Sequence, residues 1–197
     1  MPTQAPPEPT RPTIRTLGQY LCKMRGTPGN RPPPVAVTEI LWSWLGAFLG
    51  IGAVALLGHY FRLAGSDHLF MVGSFGASAV LVYGAPKSPL AQPRNLVGGH
   101  LLSALVGVTC YQVFPPIPGL VEATAVASAI ALMHLTRTLH PPGGATALIA
   151  IIGSEVVHSL GYLFVLLPVV LGAVILLTVG LVVNNLGPDR RYPESWL

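Results

Sequence analysis

The chain has 197 residues, of which 51% are hydrophobic and only 9% charged, with a mean hydropathy of +0.61. A soluble domain carries roughly a quarter charged residues, so there is too little charge to cover a water-facing surface, and 20 prolines and 22 glycines exclude a bundle of smooth helices. The net charge of +4 lies entirely in residues 1–34, where Arg11, Arg15, Lys23, Arg25 and Arg31 face Glu8 alone. With no basic face beyond that tail, nucleic-acid binding is not expected.

Residues 1–34 read as a Pro-rich basic cytoplasmic tail, nine of whose residues are proline. Within it Ile14, Leu17, Leu21 and Met24 recur at helical spacing among basic residues, which suggests a short amphipathic helix on the bilayer surface, with disorder as the alternative. The tail has no apolar core followed by a small-residue cleavage site, so it does not read as a secretory signal.

Four apolar runs follow, about Glu39 to Gly58, Leu96 to Phe114, Leu120 to Thr138 and Leu160 to Val183. Each approaches the roughly 20 residues that cross a hydrocarbon core. Two shorter pieces lie between them: Leu69 to Tyr83, cut by Gly73-Ser74-Phe75-Gly76, and Gly143 to Gly153, directly after His140-Pro141-Pro142. These predict half-helices. Residues 185–197 read as a cytoplasmic C-terminal tail.

Gly76-Ala77-Ser78-Ala79-Val80-Leu81 matches Gly144-Ala145-Thr146-Ala147-Leu148-Ile149 at an offset of 68. Each copy is flanked by long runs, so the transmembrane domain, residues 35–184, parses as long, short, long twice, with repeat 1 at about 39–114 and repeat 2 at about 120–184. If the short pieces cross, ten of the eleven Lys and Arg residues fall on the side of the N-terminal tail, as the positive-inside tendency requires. Three segments per copy then make a three-plus-three inverted repeat, a design used by secondary transporters.

In that arrangement the two half-helices run antiparallel. Their N-terminal ends, at Gly73, Ser74, Phe75 and Gly76 and at Pro141, Pro142, Gly143 and Gly144, would meet near the bilayer midplane. Unpaired N–H groups and positive dipole ends there favour a small anion, with Ser78 and Thr146 one turn further in as hydroxyl donors. The two prolines would hold the preceding chain extended and leave the N–H groups free. Packing kinks are the alternative reading of these glycines and prolines.

Polar groups at membrane depth are costly unless paired or wet. His140 directly precedes the second half-helix and is a candidate anion partner or, like His100, proton carrier. His100, after Gly98-Gly99, is a candidate for coupling, whereas His134 reads equally well as a structural group. Arg94, beside Asn95, is simplest as a cytoplasmic anchor like Lys87, with attraction of an anion as the alternative. Glu39 and Glu122 begin helices, where capping competes with proton coupling. Gly46 and Gly50, at GxxxG spacing, and the small-residue stretch Ala123 to Ala131 mark close helix contacts within the chain or between copies, and a homodimer is a reasonable expectation.

Two cysteines, Cys22 and Cys110, make neither a disulfide framework nor a CxxC metal site. No HExxH, GxSxG or GxxxxGK[ST] pattern occurs, so neither an enzyme nor a metal or other cofactor is expected. A histidine-based membrane enzyme or ligand-binding subunit, and a structural subunit of a larger complex, remain the rival classes.

His140-Pro141-Pro142-Gly143-Gly144-Ala145-Thr146-Ala147, together with Gly73 to Ser78 and Ser88 to Asn95 followed by Gly98-Gly99-His100, resembles the HPP family of integral membrane proteins over about residues 39–184. Chloroplast and cyanobacterial members are associated with nitrite transport, so the resemblance implies a small monovalent anion, nitrite first and nitrate next. Family members are usually described with four spans, in agreement with the four long runs. Without a transit peptide or an attached regulatory domain, the chain resembles a minimal form in a bacterial plasma membrane, with both termini cytoplasmic.

Overall fold

The computed structural model describes residues 16–24, 33–61 and 73–196. Two units are present, residues 1–34 and 35–197. In the first, helix α1 spans Leu17–Lys23, and Thr16 and Gln19 form a reciprocal capping box at its start. It occupies part of the expected amphipathic segment; Ile14, Arg15 and Arg25 lie outside the described residues.

Every regular element among the described residues of the second unit is helical. α2 is Val37–Phe61, and α3 is Gly73–Ala79, prolonged by a π-helical turn at Val80–Gly84. A 3-10 turn at Pro89–Ala91 leads into α4, Pro93–Val113. α5 is Leu120–Leu135, α6 is Pro141–Ile152 and α7 is Glu155–Leu160. Residues 165–170 are kinked at Leu167 (φ −130°, ψ 109°), directly before Pro168, and run into α8, Leu171–Leu186, so the expected run from Leu160 to Val183 is not one unbroken helix. Three of these helices, Val37–Tyr60, Pro93–Val113 and Val165–Leu186, are long and apolar enough to cross a membrane. Outward-facing Leu41, Trp44, Phe48 and Leu56 give α2 an apolar exterior suited to lipid.

The run expected as a fourth long helix is shorter. α5 ends after 16 residues, about 24 Å at the helical rise. Its stop is a Schellman motif: Thr138 N–H donates to Met133 O at 2.9 Å and Arg137 N–H to His134 O at 3.2 Å. Arg137 takes the left-handed position (φ 57°) where glycine is usual. No glycine or proline marks this stop in the sequence, which is why the run reads as longer.

Gly46 and Gly50 are used inside the chain. A Cβ at Gly46 would lie 2.7 Å from the Tyr83 ring, and one at Gly50 would overlap the Tyr83 hydroxyl. That buried tyrosine donates to Leu176 O on α8 at 3.0 Å, so it ties α2, the π turn and α8 together. Around it pack Val54, Phe75, Val82, Leu96, Ala173 and Tyr192.

The segment after α8 is folded back onto the helices. Buried Arg190 donates from Nε to Glu39 Oε2 at 3.0 Å, from Nη1 to Tyr83 O and Asn184 Oδ1, and from Nη2 to Glu39 O and Ser43 Oγ. Tyr192 donates to Ala91 O at 2.7 Å, and burial pushes its phenol above the ordinary range. Gln92 accepts from the Glu194 and Ser195 N–H groups. The start of α2, the 85–92 loop and the C-terminal segment therefore share one face.

Candidate functional site

A row of hydroxyls and imidazoles runs through the middle of the second unit. Ser74 and Ser78 stand one turn apart on α3, Thr146 lies in the second turn of α6, His100 lies within α4, and His140 immediately precedes α6. None of the five is more than 1% exposed. His100 Nε2 is 2.7 Å from Ser78 Oγ and its Nδ1 is 2.7 Å from Thr146 Oγ1. Ser78 Oγ is also 2.8 Å from His140 Nε2, and His140 Nδ1 is 2.8 Å from Leu90 O. Thr146 Oγ1 donates to Ser74 Oγ at 2.8 Å. Each buried polar group thus has a partner, as burial demands.

The pairs define how the two short helices lie. Ser74 faces Thr146 and Ser78 faces His140, so advancing along α3 means retreating along α6 and the helices are antiparallel. They overlap side by side by about one turn, so the N-terminal end of each lies against the second turn of the other. Ser78 and Thr146 also approach the carbonyls one turn back in their own helices, Ser74 O at 3.2 Å and Pro142 O at 3.3 Å.

Two close approaches shape the site. A Cβ at Gly99 would stand 2.5 Å from His140 Cβ and 2.9 Å from Thr138 O, so only glycine lets α4 come this near. A Cβ at Gly143 would stand 2.6 Å from Ser103 Oγ and 3.0 Å from Gly99 O. At Gly143 packing between α6 and α4 is the reason for glycine. The Phe75 ring meets His100 edge-on, centroids 5.3 Å apart.

The prolines hold the preceding residue extended, as expected, but they do not leave a row of free N–H groups. His140 is the extended residue (φ −135°, ψ 103°), while Pro141 and Pro142 open the helix itself. Neither proline has an N–H, and the Gly143 N–H donates to His140 O at 2.8 Å. Of the first four positions of α6, only Gly144 is left to offer a backbone donor to a ligand. Beside Gly144 there is room, since a Cβ would meet nothing nearer than Val126 at 3.7 Å; beside Gly73 the nearest atom is Ile149 Cδ1 at 4.0 Å, and at Gly76 nothing lies within 4 Å.

Other expected residues stand around the row or away from it. Arg94 and Asn95 donate to Thr136 O at 2.9 Å and to Leu139 O at 2.8 Å, and so brace the chain that delivers His140. His134 is exposed. Glu122 is not among the hydrogen-bond partners of the row. Its Oε2 is buried without a partner and it lines a separate cavity of about 500 Å³ with Tyr111, Gln112, Phe114, Ile117 and Ile151. The Leu90 carbonyl was missed from sequence, because a main-chain acceptor leaves no residue-type signature.

The row can donate hydrogen bonds from neutral groups and can hold or pass a proton through the two imidazoles. Among the described residues no three His, Cys, Asp or Glu side chains gather as a metal would need.

The family model described as HPP, transmembrane region, matches residues 32–193. The chain is 45% identical over 182 residues to one transmembrane protein of Dictyostelium discoideum and 46% identical over 182 residues to another. These matches cover 90% of this chain but 63% and 57% of those proteins, so it spans about three-fifths of their length. No solved structure matches.

Proposed function

This chain belongs to the HPP transmembrane family, and on that premise we propose that it carries a small inorganic anion across a membrane, nitrite first and nitrate next. The observation that carries the reading is the buried row in which His100 joins equivalent hydroxyls of two antiparallel short helices. Polar groups gathered at membrane depth between broken helices are the mark of a transport site. Neutral hydroxyl and imidazole donors suit a weakly hydrated monovalent anion, which needs no buried Lys or Arg. The open backbone at Gly144 supplies the remaining approach.

The same reading takes the two copies as an inverted repeat in which α3 with its π turn, and α5 and α6, all cross the membrane. The shared face of Glu39, the 85–92 loop and Arg190 supports it, since a single side then holds the basic loops. A tag inserted in the 85–88 loop should be found on the same side as the C-terminus, and a tag on the opposite side would overturn the six-crossing arrangement.

The direct test is uptake into liposomes containing the purified protein, with nitrite outside and nitrate or chloride as competitors. Selective nitrite entry above protein-free liposomes is expected, and Gly144→Ala, which the fold has room for, should lower it. Folded protein that moves none of these anions would overturn the proposal.

A further inference from the structure

The row that forms the proposed anion site has a second property, which depends on counting its protons. His140 Nδ1 faces the Leu90 carbonyl, which can only accept, so that nitrogen always keeps its hydrogen. Ser78 and Thr146 can also turn their single hydrogens to Ser74 O and Pro142 O, and of the arrangements left two keep every bond along the row. In one complete pattern Thr146 donates to His100 Nδ1, His100 Nε2–H donates to Ser78, and Ser78 donates to His140 Nε2; both rings are neutral. In the other, Thr146 donates to Ser74, His100 Nδ1–H donates to Thr146, Ser78 donates to His100 Nε2, and His140 Nε2–H donates to Ser78. This second pattern holds one more proton, and the charge sits on His140.

The two patterns interconvert by hops alone, each proton crossing its own hydrogen bond. O–H of Ser78, N–H of His100 Nε2 and O–H of Thr146 break. N–H at His140 Nε2, O–H at Ser78, N–H at His100 Nδ1 and O–H at Thr146 form, the last with a proton arriving from the Ser74 side. Three bonds are lost, four are gained and one proton has entered. The Leu90 carbonyl, which can only accept, ends the row at His140.

We propose that the row from Ser74 to His140 takes up one proton together with the anion, so that transport is proton-coupled and moves no net charge. This rests on the anion-site reading above. The physical reason is that an isolated charge in a buried site of low dielectric costs several kcal/mol, whereas an anion beside a protonated imidazole is a neutral pair. Each partner therefore lowers the cost of the other, which is a coupling free energy. Other titratable groups leave the store alone. Tyr83 below α3 donates to Leu176 O, and Arg94 on α4 is exposed and donates to Thr136 O. Lys87, His134 and Arg137 are exposed, Glu122 on α5 lines the other cavity, and α6 and residues 165–186 carry no charged side chain.

Two measurements test it. In liposomes holding a pH dye, with the membrane potential clamped and leakage of undissociated acid subtracted from protein-free controls, wild-type protein should acidify the lumen by one proton per nitrite. Uptake should be insensitive to the potential, and should rise by up to about tenfold per unit fall in outside pH while the store is unsaturated. Nitrite uptake driven by the potential without acidification would overturn proton coupling and leave the anion reading standing; no uptake at all would remove the anion reading. The store itself is tested without transport by ring nitrogen NMR of the histidines in the detergent-solubilised full-length protein with nitrite present. His100 and His140 should titrate together as a pair taking up one proton, with His140 always protonated at Nδ1. Independent titration, or a His140 protonated only at Nε2, would overturn it.

Discussion

Ser78 and Thr146, equivalent residues of two matching six-residue segments, hold opposite nitrogens of a single imidazole, His100, each at 2.7 Å. That relationship brings the two matching segments onto one buried side chain. It also makes Ser78 unusual, since one hydroxyl serves His100 and His140 at once.

Ser78→Ala should therefore strand two buried ring nitrogens. At about 1–3 kcal/mol for each stranded buried group, the detergent-solubilised variant should unfold several degrees below wild type. Ser103→Ala, whose hydroxyl reaches only Met133 Sδ at 3.6 Å, should shift the midpoint much less. Equal shifts would show that the row contributes nothing special to stability.

Gly50→Ala should destabilise by about 1–3 kcal/mol, because the added methyl would overlap the buried Tyr83 hydroxyl and there is no slack to absorb it. Gly52→Ala meets nothing within 4 Å and should be neutral or mildly stabilising through better helix propensity. Thermal unfolding of the two variants side by side decides whether the GxxxG face packs within the chain. If Gly50→Ala instead left stability unchanged and split an oligomer, the face would belong between copies.

Arg190→Ala should cost about 2–4 kcal/mol, since it removes five donors at once and leaves the Tyr83 carbonyl and the buried Asn184 Oδ1 short of partners. Arg190→Lys should recover only part of this, as an ammonium cannot reproduce the planar fork. Proteolysis of the C-terminal segment gives an independent readout, with cleavage before Tyr192 accelerated in both variants. A silent Arg190→Ala would mean that the folded-back segment is not held by this residue.

Arg137→Gly should raise stability by about 1 kcal/mol. The left-handed backbone there (φ 57°) strains any residue with a Cβ, and the exposed guanidinium has nothing buried to lose. A lower unfolding midpoint for this variant would mean that the arginine makes a contact worth more than the strain.

Much of the architecture was legible from residue order. The scarcity of charge set the membrane class, the runs set the helices, and the Gly-rich and Pro-rich breaks set the two short ones. The end of α5 was not legible, because Arg137 occupies a position that normally announces itself as glycine. Nor were the roles of the glycines, as the same residue type serves packing at Gly143 and open backbone at Gly76.

What the sequence by itself determined is therefore local and additive: hydropathy sums over a run, a proline removes its own N–H, and a repeat shows as matching letters. Which polar side chains meet is not additive. His100 and His134 lie in similar apolar runs, yet one is sealed between Ser78 and Thr146 and the other is exposed, because helix rotation and the close approach at Gly99 decide which face turns inward. Arg190 belongs to the same lesson. In the chain it is one more basic residue after the last span, and only the fold brings Glu39, Ser43, Tyr83 and Asn184 around it, because a guanidinium can be buried only where enough acceptors converge.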